Sequence, residues 1–401
     1  MSKWDIKRIM DIAEVVAGGT PNTKIPEYWN GDIGWITPAD LSGYNFRYIK
    51  NGSRNITEAG LKGSSACLLP INTVLLSSRA PIGYVAIAET ELSTNQGFKN
   101  LVCNDKQVDY KFIYYWLRLN AETLKNFASG ATFPEISAST LKKIKITLPD
   151  LPTQKHIADI LSAYDDLIEV NNRRIELLEQ AAQELYKEWF VRFRFPGHEK
   201  AKFENGLPEG WTVKRMNEFC YVTDGTHDTP KETETGIPLV TGRCISNGFV
   251  DFNAAYNISQ EDHEGIKKRS GLKSGDILFS NIGTVGNSCI VNYDREFSVK
   301  NVIIFKPETM RDTAYLYYWM TSSIMQEIFA TQTNGASQQF VGLTFMRRYK
   351  LLIPQNDILD AFAEKVLPFV EQKRILHQNN LNIAAQRDLL LPRLMSGKLE
   401  V

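Results

Sequence analysis

The chain has 401 residues, 43% hydrophobic and 23% charged, with 46 basic and 46 acidic residues and a formal net charge of zero. That composition suits an ordinary globular protein with room for two or three cores, and no apolar run approaches the ~18 residues that crossing a bilayer requires. Zero net charge removes the simplest signal of a nucleic-acid binder, a strongly basic domain, but leaves room for charge segregated by face or supplied by a larger complex. The start, Met1-Ser2-Lys3-Trp4-Asp5, lacks an apolar signal-peptide stretch. The five cysteines stand far apart with no zinc spacing. The expected setting is the cytoplasm, with the cysteines as packing residues.

From Trp4 to Pro149 the pattern is mixed, with short strands, many Gly/Pro/Asn turns and one or two helices. Val74-Leu75-Leu76-Ser77 and Tyr84-Val85-Ala86-Ile87 predict strands around the turn Arg79-Ala80-Pro81-Ile82-Gly83. Tyr110 to Phe127 predicts a helix with an aromatic, core-packing face. After Pro149, Ile157, Leu161, Tyr164, Ile168, Asn171, Ile175, Leu178, Ala182, Leu185 and Trp189 are spaced four and three in alternation. This is a sustained heptad seam, and about 36 helical residues make a rod of roughly 54 Å. Pro152 suits the first turn of that helix, and Pro196-Gly197 lies beyond its end. Its charged face, Asp165, Asp166, Glu169, Arg173, Arg174, Glu176, Glu179 and Glu184, is read as solvated, with docking of another subunit as the alternative.

The chain then repeats itself. Trp4-Asp5-Ile6-Lys7-Arg8-Ile9 returns as Trp211-Thr212-Val213-Lys214-Arg215-Met216, and Ile113-Tyr114-Tyr115-Trp116-Leu117 as Leu316-Tyr317-Tyr318-Trp319-Met320. Ile277 to Ser280 and Ser288 to Val291 repeat the strand pair, and Thr313 to Phe329 the aromatic helix. An offset of about 205 residues is far beyond a solenoid unit of ~20–50 residues, so whole domains are duplicated. The second seam is Leu359, Phe362, Val366, Phe369, Lys373, Leu376, Asn380, Ile383, Arg387, Leu390 and Leu394. Polar residues interrupt it, and Pro368 predicts a kink or break. The two helices are expected to pair antiparallel, with Asn171 and Asn380 fixing register. The alternative is that each packs on its own domain as an amphipathic arm. The expected organisation is therefore α+β: two similar globular regions at 1–150 and 196–354, and two long helices at 151–195 and 355–401.

Catalytic signatures are missing. The sequence has no phosphate-binding loop, no methyltransferase tetrapeptide, and no metal or triad-like histidine spacing among His156, His198, His227, His263 and His377. Asp165-Asp166 are neighbours on a helix and point apart, so they form no catalytic dyad by themselves. Polar and basic loops remain at equivalent places in the two halves. The first half offers Thr20, Thr37, Asp40, Ser78, Arg79, Asn95, Gln96, Lys99 and Thr132. The second offers Thr226, His227, Thr241, Arg243, Asn281, Lys300, Ser337, Gln338 and Gln339. Arg and Lys read guanine edges, Asn and Gln adenine, and Asp the cytosine amino group. Framework residues repeat while these loops differ, as one scaffold reading two sequences would require; unconstrained surface drift gives the same pattern.

Several stretches resemble one family. Gly18-Gly19-Thr20-Pro21 through Trp35-Ile36-Thr37-Pro38-Ala39-Asp40-Leu41, and Gly225-Thr226-His227-Asp228-Thr229-Pro230, resemble the start of a target recognition domain. Leu148-Pro149 through Gln154-Ile157-Ala158 and Trp189-Phe190-Val191-Arg192-Phe193-Arg194-Phe195-Pro196-Gly197-His198 resemble the two ends of a central spacer helix. Leu391-Pro392-Arg393-Leu394-Met395-Ser396-Gly397 is similar to the family's C-terminus. The whole chain, in order, resembles the specificity subunit of a type I restriction-modification system. The resemblance implies a non-catalytic subunit whose two recognition domains each read half of an asymmetric bipartite site in double-stranded DNA. It implies an antiparallel coiled coil that sets the gap. Modification (methyltransferase) and restriction (translocase and endonuclease) subunits are the implied partners, and they carry the S-adenosylmethionine, ATP and magnesium. A coiled-coil scaffold with two protein-binding domains, and a nuclease part with a degenerate site, are the other readings of the residues.

Overall fold

The computed structural model describes residues 4–44, 46–130, 134–333 and 340–401. The chain forms two compact units, residues 1–173 with 376–401, and residues 174–375. Both boundaries fall inside long helices, Leu151–Tyr186 and Asn356–Met395, so each unit contains a recognition region and a segment of each helix. Among the described residues no helix is long and apolar enough to cross a membrane.

The strands of unit 1 are β1 (Asp5–Arg8), β2 (Ala13–Ala17), β3 (Trp29–Ile36), β4 (Tyr48–Ile49), β5 (Arg54–Ile56), β6 (Val74–Ser78), β7 (Ile82–Ala88), β8 (Leu92–Thr94), β9 (Lys99–Cys103) and β10 (Lys145–Leu148). They build a five-stranded sheet ordered β2-β9-β6-β7-β4, a three-stranded sheet β5-β3-β8 and a ribbon β1-β10. The alternation along β6 decides the layering. Val74 and Leu76 face a core with Phe112, Ile113, Tyr115 and Leu117, while Leu75 faces Ile36, Leu69, Leu92 and Phe98. The first core also takes Ile157, Ala158 and Leu161 of the first long helix, and Leu391, Leu394 and Met395 of the second.

Unit 2 contains β11 (Phe203–Glu204), β12 (Leu207–Pro208), β13 (Thr212–Arg215), β14 (Tyr221–Asp224), β15 (Ile237–Thr241), β16 (Ile245–Ser246), β17 (Phe249–Val250), β18 (Tyr256–Ile258), β19 (Ile277–Ser280), β20 (Ser288–Ile290), β21 (Ser298–Lys300), β22 (Val302–Lys306) and β23 (Lys350–Ile353). Its sheets are ordered β14-β22-β19-β20 and β18-β15-β21, with ribbon β13-β23, so the duplication in sequence is a duplication of topology. Ile277 and Phe279 face an aromatic core, and Leu278 faces Val240, Cys289 and Val299. Tyr186, Trp189 and Phe190, at the end of the first long helix, pack with Phe362 of the second; the Phe190 and Phe362 rings lie 4.9 Å apart, edge to face.

Every residue of the first seam is buried or half-buried: Ile157, Leu161, Asn171, Ala182 and Trp189 fully, Tyr164, Ile168, Ile175, Leu178 and Leu185 partly. Phe362, Val366 and Leu376 of the second seam are buried, and Ile383 and Leu390 half-buried. The helices run antiparallel in each unit. In unit 1, Arg387 is bonded to Asp165, while Asn380 meets Asn171 (2.9 Å) and Asn172 (2.8 Å). In unit 2, Lys373 is bonded to Glu179, and Tyr186 lies against Phe362.

Three expectations need correction. The second helix continues through Pro368, which stands on an exposed face. The carbonyl it leaves unbonded, that of Glu364, belongs to an exposed residue as well. The aromatic helices are each two pieces, Tyr110–Leu119 and Ala121–Lys125, then Met310–Thr321 and Ser323–Thr333. Asn120 and Ser322 interrupt them, their side chains bonding back to the carbonyls of Trp116 and Trp319. Much of the charged face read as solvated is engaged. Asp165 accepts from Arg387 and the Tyr115 hydroxyl (2.6 Å), Asp166 and Glu169 hold Arg47, and Glu179 holds Lys373. The five cysteines are free thiols, three of them buried and Cys67 exposed.

Removing Asp165 strips the Tyr115 hydroxyl of its acceptor and leaves the buried Arg387 guanidinium with Asp388 alone. Asp165→Ala is expected to lower stability by about 3 kcal/mol in denaturant unfolding, whereas Asp165→Leu combined with Arg387→Leu should recover at least half of that loss.

Candidate nucleic-acid interface

Strands β3 and β8 run parallel with Ile36 opposite Thr94, so the loops that follow them leave the sheet at one edge. Asn95 donates its backbone N–H to Ile36 at 2.9 Å. Gly19 bonds to Thr94 at 2.9 Å, and the Thr20 hydroxyl reaches the Gln96 amide. A Cβ at Gly18 would strike the Asn95 backbone and one at Gly19 the Ser65 backbone, which is why this segment needs paired glycines. Ser78, ending β6, bonds through its N–H to Gly97 at 2.7 Å. Thr20, Thr37, Asp40, Ser78, Arg79, Asn95, Gln96 and Lys99 are thus gathered on one platform.

Unit 2 repeats the device. Strands β15 and β21 are parallel with Thr241 opposite Lys300, Thr226 bonds to Val299 at 3.0 Å, and Asn301 bonds to Thr226 at 3.1 Å. Thr284 of the loop after β19 donates to the Gly242 carbonyl at 3.1 Å. Thr226, His227, Thr241, Arg243, Asn281 and Lys300 therefore share one edge as well.

The platform separates builders from presenters. Ser78, Lys99, Thr226 and Asn281 are buried. Lys99 donates to Glu135 at 2.8 Å and to Ser78 at 3.3 Å, and Asn281 donates to the Val341 carbonyl at 3.2 Å. Asp40 accepts from the Thr37 hydroxyl and N–H and from the Ser53 N–H, capping its own turn. Burial pushes the Asp40 carboxyl up, but those bonds hold it below the usual carboxylate range. These five side chains are engaged in bonds within the fold, four of them buried and Asp40 half-buried. Gln96, His227 and Arg243 are exposed, and Thr20, Arg79, Asn95, Thr241 and Lys300 half-exposed. Thr132, Ser337, Gln338 and Gln339 lie outside the described residues.

Four participants, Glu135, Asp224, Asn301 and Arg269, were not among the candidates read from the sequence. Glu135 holds Arg79 at 3.6 Å as well as Lys99. Asp224 and Asn301 grip His227 from its two ring nitrogens at 2.8 and 2.9 Å, and Arg269 donates to Asp224 at 2.8 Å. The run Lys267-Lys268-Arg269 was the available signal, but only the fold brings it to β14.

The family described as type I restriction modification DNA specificity domain matches residues 1–180 and again 208–382. The chain belongs to this family. It is similar to the MjaIX specificity subunit of Methanocaldococcus jannaschii, 36% identical over 417 residues that cover 99% of this chain and 94% of that one. It also resembles the EcoR124I/EcoR124II specificity subunit of Escherichia coli, 29% identical over 47% of this chain and 48% of that one. A crystal structure of the type I S subunit from M. genitalium shares the fold, with a TM-score of 0.59 at 16% identity, covering 98% of this chain and 96% of that one. The protein is thus a specificity subunit, the DNA-recognising and non-catalytic part of such a system.

The division between builders and presenters is testable. Lys99→Met should cost about 1–3 kcal/mol in urea unfolding, because it strips the buried Ser78 hydroxyl of its donor and leaves the half-exposed Glu135 with Arg79 alone. Arg79→Ala should change stability by no more than about 0.5 kcal/mol while weakening DNA recognition by about 1–3 kcal/mol in a binding titration.

Proposed function

We propose that this specificity subunit reads an asymmetric, bipartite DNA site, with residues 1–150 on one half-site and 196–354 on the other. The paired helices, 151–195 and 355–401, act as the ruler between them. The observation that carries this reading is the repeated platform. Both units use the same parallel-strand edge, yet one presents Gln96, Arg79 and Asn95 and the other His227, Arg243 and Lys300. Those groups match base edges and phosphates, and they differ between halves as two unlike half-sites require. A rod of roughly 54 Å is long enough for half-sites about one helical turn, ~34 Å, apart.

The subunit directs adenine methylation and ATP-dependent cleavage that modification and restriction subunits carry out, with their own S-adenosylmethionine, ATP and magnesium. Leu167, Val170 and Leu177, each about half exposed on the outer face of the first long helix, are an apolar stripe suited to such partners. Partner subunits would also neutralise phosphates that a chain of zero net charge leaves uncompensated.

The ruler is tested by lengthening it in register. One heptad inserted between Asp165 and Asn172, matched by one between Asn380 and Arg387, adds about 10 Å of helix, equivalent to about three base pairs. With the methyltransferase partner bound, the footprint should keep both half-sites and widen the gap by that amount. An unchanged gap would contradict the ruler.

A further inference from the structure

The polar residues on the facing sides of the two long helices form a regular series. On the first helix they are Asp165, Asn172 and Glu179; on the second, Lys373, Asn380 and Arg387. Each series advances by one heptad, the step that returns a side chain to the same face of a supercoiled helix. In unit 1, Arg387 donates to Asp165, and Asn380 donates to the Asn172 amide oxygen at 2.8 Å. In unit 2, Lys373 donates to Glu179. These charges are largely withdrawn from water: the side chains of Asp165, Arg387 and Lys373 are 6%, 9% and 7% exposed and that of Glu179 24%.

The signs are sorted by helix. Both acids stand on the first and both bases on the second. An antiparallel pairing of the first helix with the same helix of a second chain, centred on Asn172, sets Asp165 opposite Glu179 on both sides. The second helix paired with its own copy about Asn380 sets Lys373 opposite Arg387. Either arrangement buries like charges face to face, a strongly unfavourable contact in a dry seam. The apolar seam residues offer no such discrimination, since leucine and isoleucine pack as well against their own copies.

We propose that this sorting of signs makes the long helices pair unlike with unlike, and rejects the like-with-like association of two chains through their rods. On the reading of two unlike readers given above, the sorting keeps the two different readers on one ruler and prevents a rod carrying the same reader twice.

The test is made on the full chain without DNA, so it stands apart from the recognition reading. In E179K/K373E the native ion pair is kept with its polarity reversed, and Asp165 and Arg387 are untouched. Each helix then carries one acid and one base, and like-with-like pairing becomes as complementary as the native pairing. Sedimentation velocity over a concentration series should show E179K/K373E dimerising at least tenfold more tightly than the wild type. Adding D165K/R387D sorts the signs again, bases on the first helix and acids on the second, and should return the wild-type behaviour. D165K/R387D alone mixes the signs in the same way and should also dimerise, which covers a failure of the first variant to fold. A folded mixed-sign variant that dimerises no more than the wild type would overturn the proposal, as would a fully re-sorted chain that dimerises as strongly as the mixed one.

Discussion

The structure depends on the antiparallel register between the two long helices. Apolar heptads alone would allow the helices to slide by a heptad at modest cost, because one leucine layer resembles the next. Buried polar groups remove that freedom, since a slip strands each of them without a partner. Asp165 with Arg387, Asn380 with the Asn171 and Asn172 amides, and Glu179 with Lys373 tie the helices at successive heptads.

That register is fastened to the recognition regions by the same residues. In unit 1 the Tyr115 hydroxyl donates to Asp165, and Arg47, 5% exposed, is held between Asp166 and Glu169. Burial alone would pull the Arg387 guanidinium down, but Asp165 and Asp388 hold it above its usual value, so it stays charged. In unit 2 the fastening is aromatic, with Tyr186, Trp189 and Phe190 packed against Phe362, and Lys373 over the rings of Tyr317 and Tyr318. A reader locked to a helix, and a helix locked in register, are what a recognition subunit needs if distance is part of its specificity.

Much of this was legible in the sequence. The seam from Ile157 to Trp189 follows from its spacing, and the strands at 74–77 and 277–280 from apolar runs bounded by turn residues. Local signals have limits that particular residues expose. Lys373 and Arg387 read as flaws in a heptad because their partners lie on another helix, 194 residues away in the case of Glu179 and Lys373. Arg47 and Asp166 are 119 residues apart, so their bond could not be inferred from either neighbourhood. Pro368 reads as a break because propensity takes no account of packing on both sides of it. Ser78, Lys99 and Asn281 read as base-reading groups because residue type gives chemistry but not direction; only the pairing of strands distant in sequence turns them inward. The loop clusters could be named from residue type, but which of their side chains lie exposed depends on strand pairing that residue type does not report.

The central claim is that two unlike readers are held at a set distance by one paired-helix ruler. It is tested most directly by selecting bound duplexes from a randomised DNA library with the full chain and its methyltransferase partner, then sequencing them. The account predicts two short, different blocks of fixed sequence separated by a gap of constant length and indifferent composition. Enrichment of one contiguous block, of a palindrome, or of two blocks at variable spacing would contradict it.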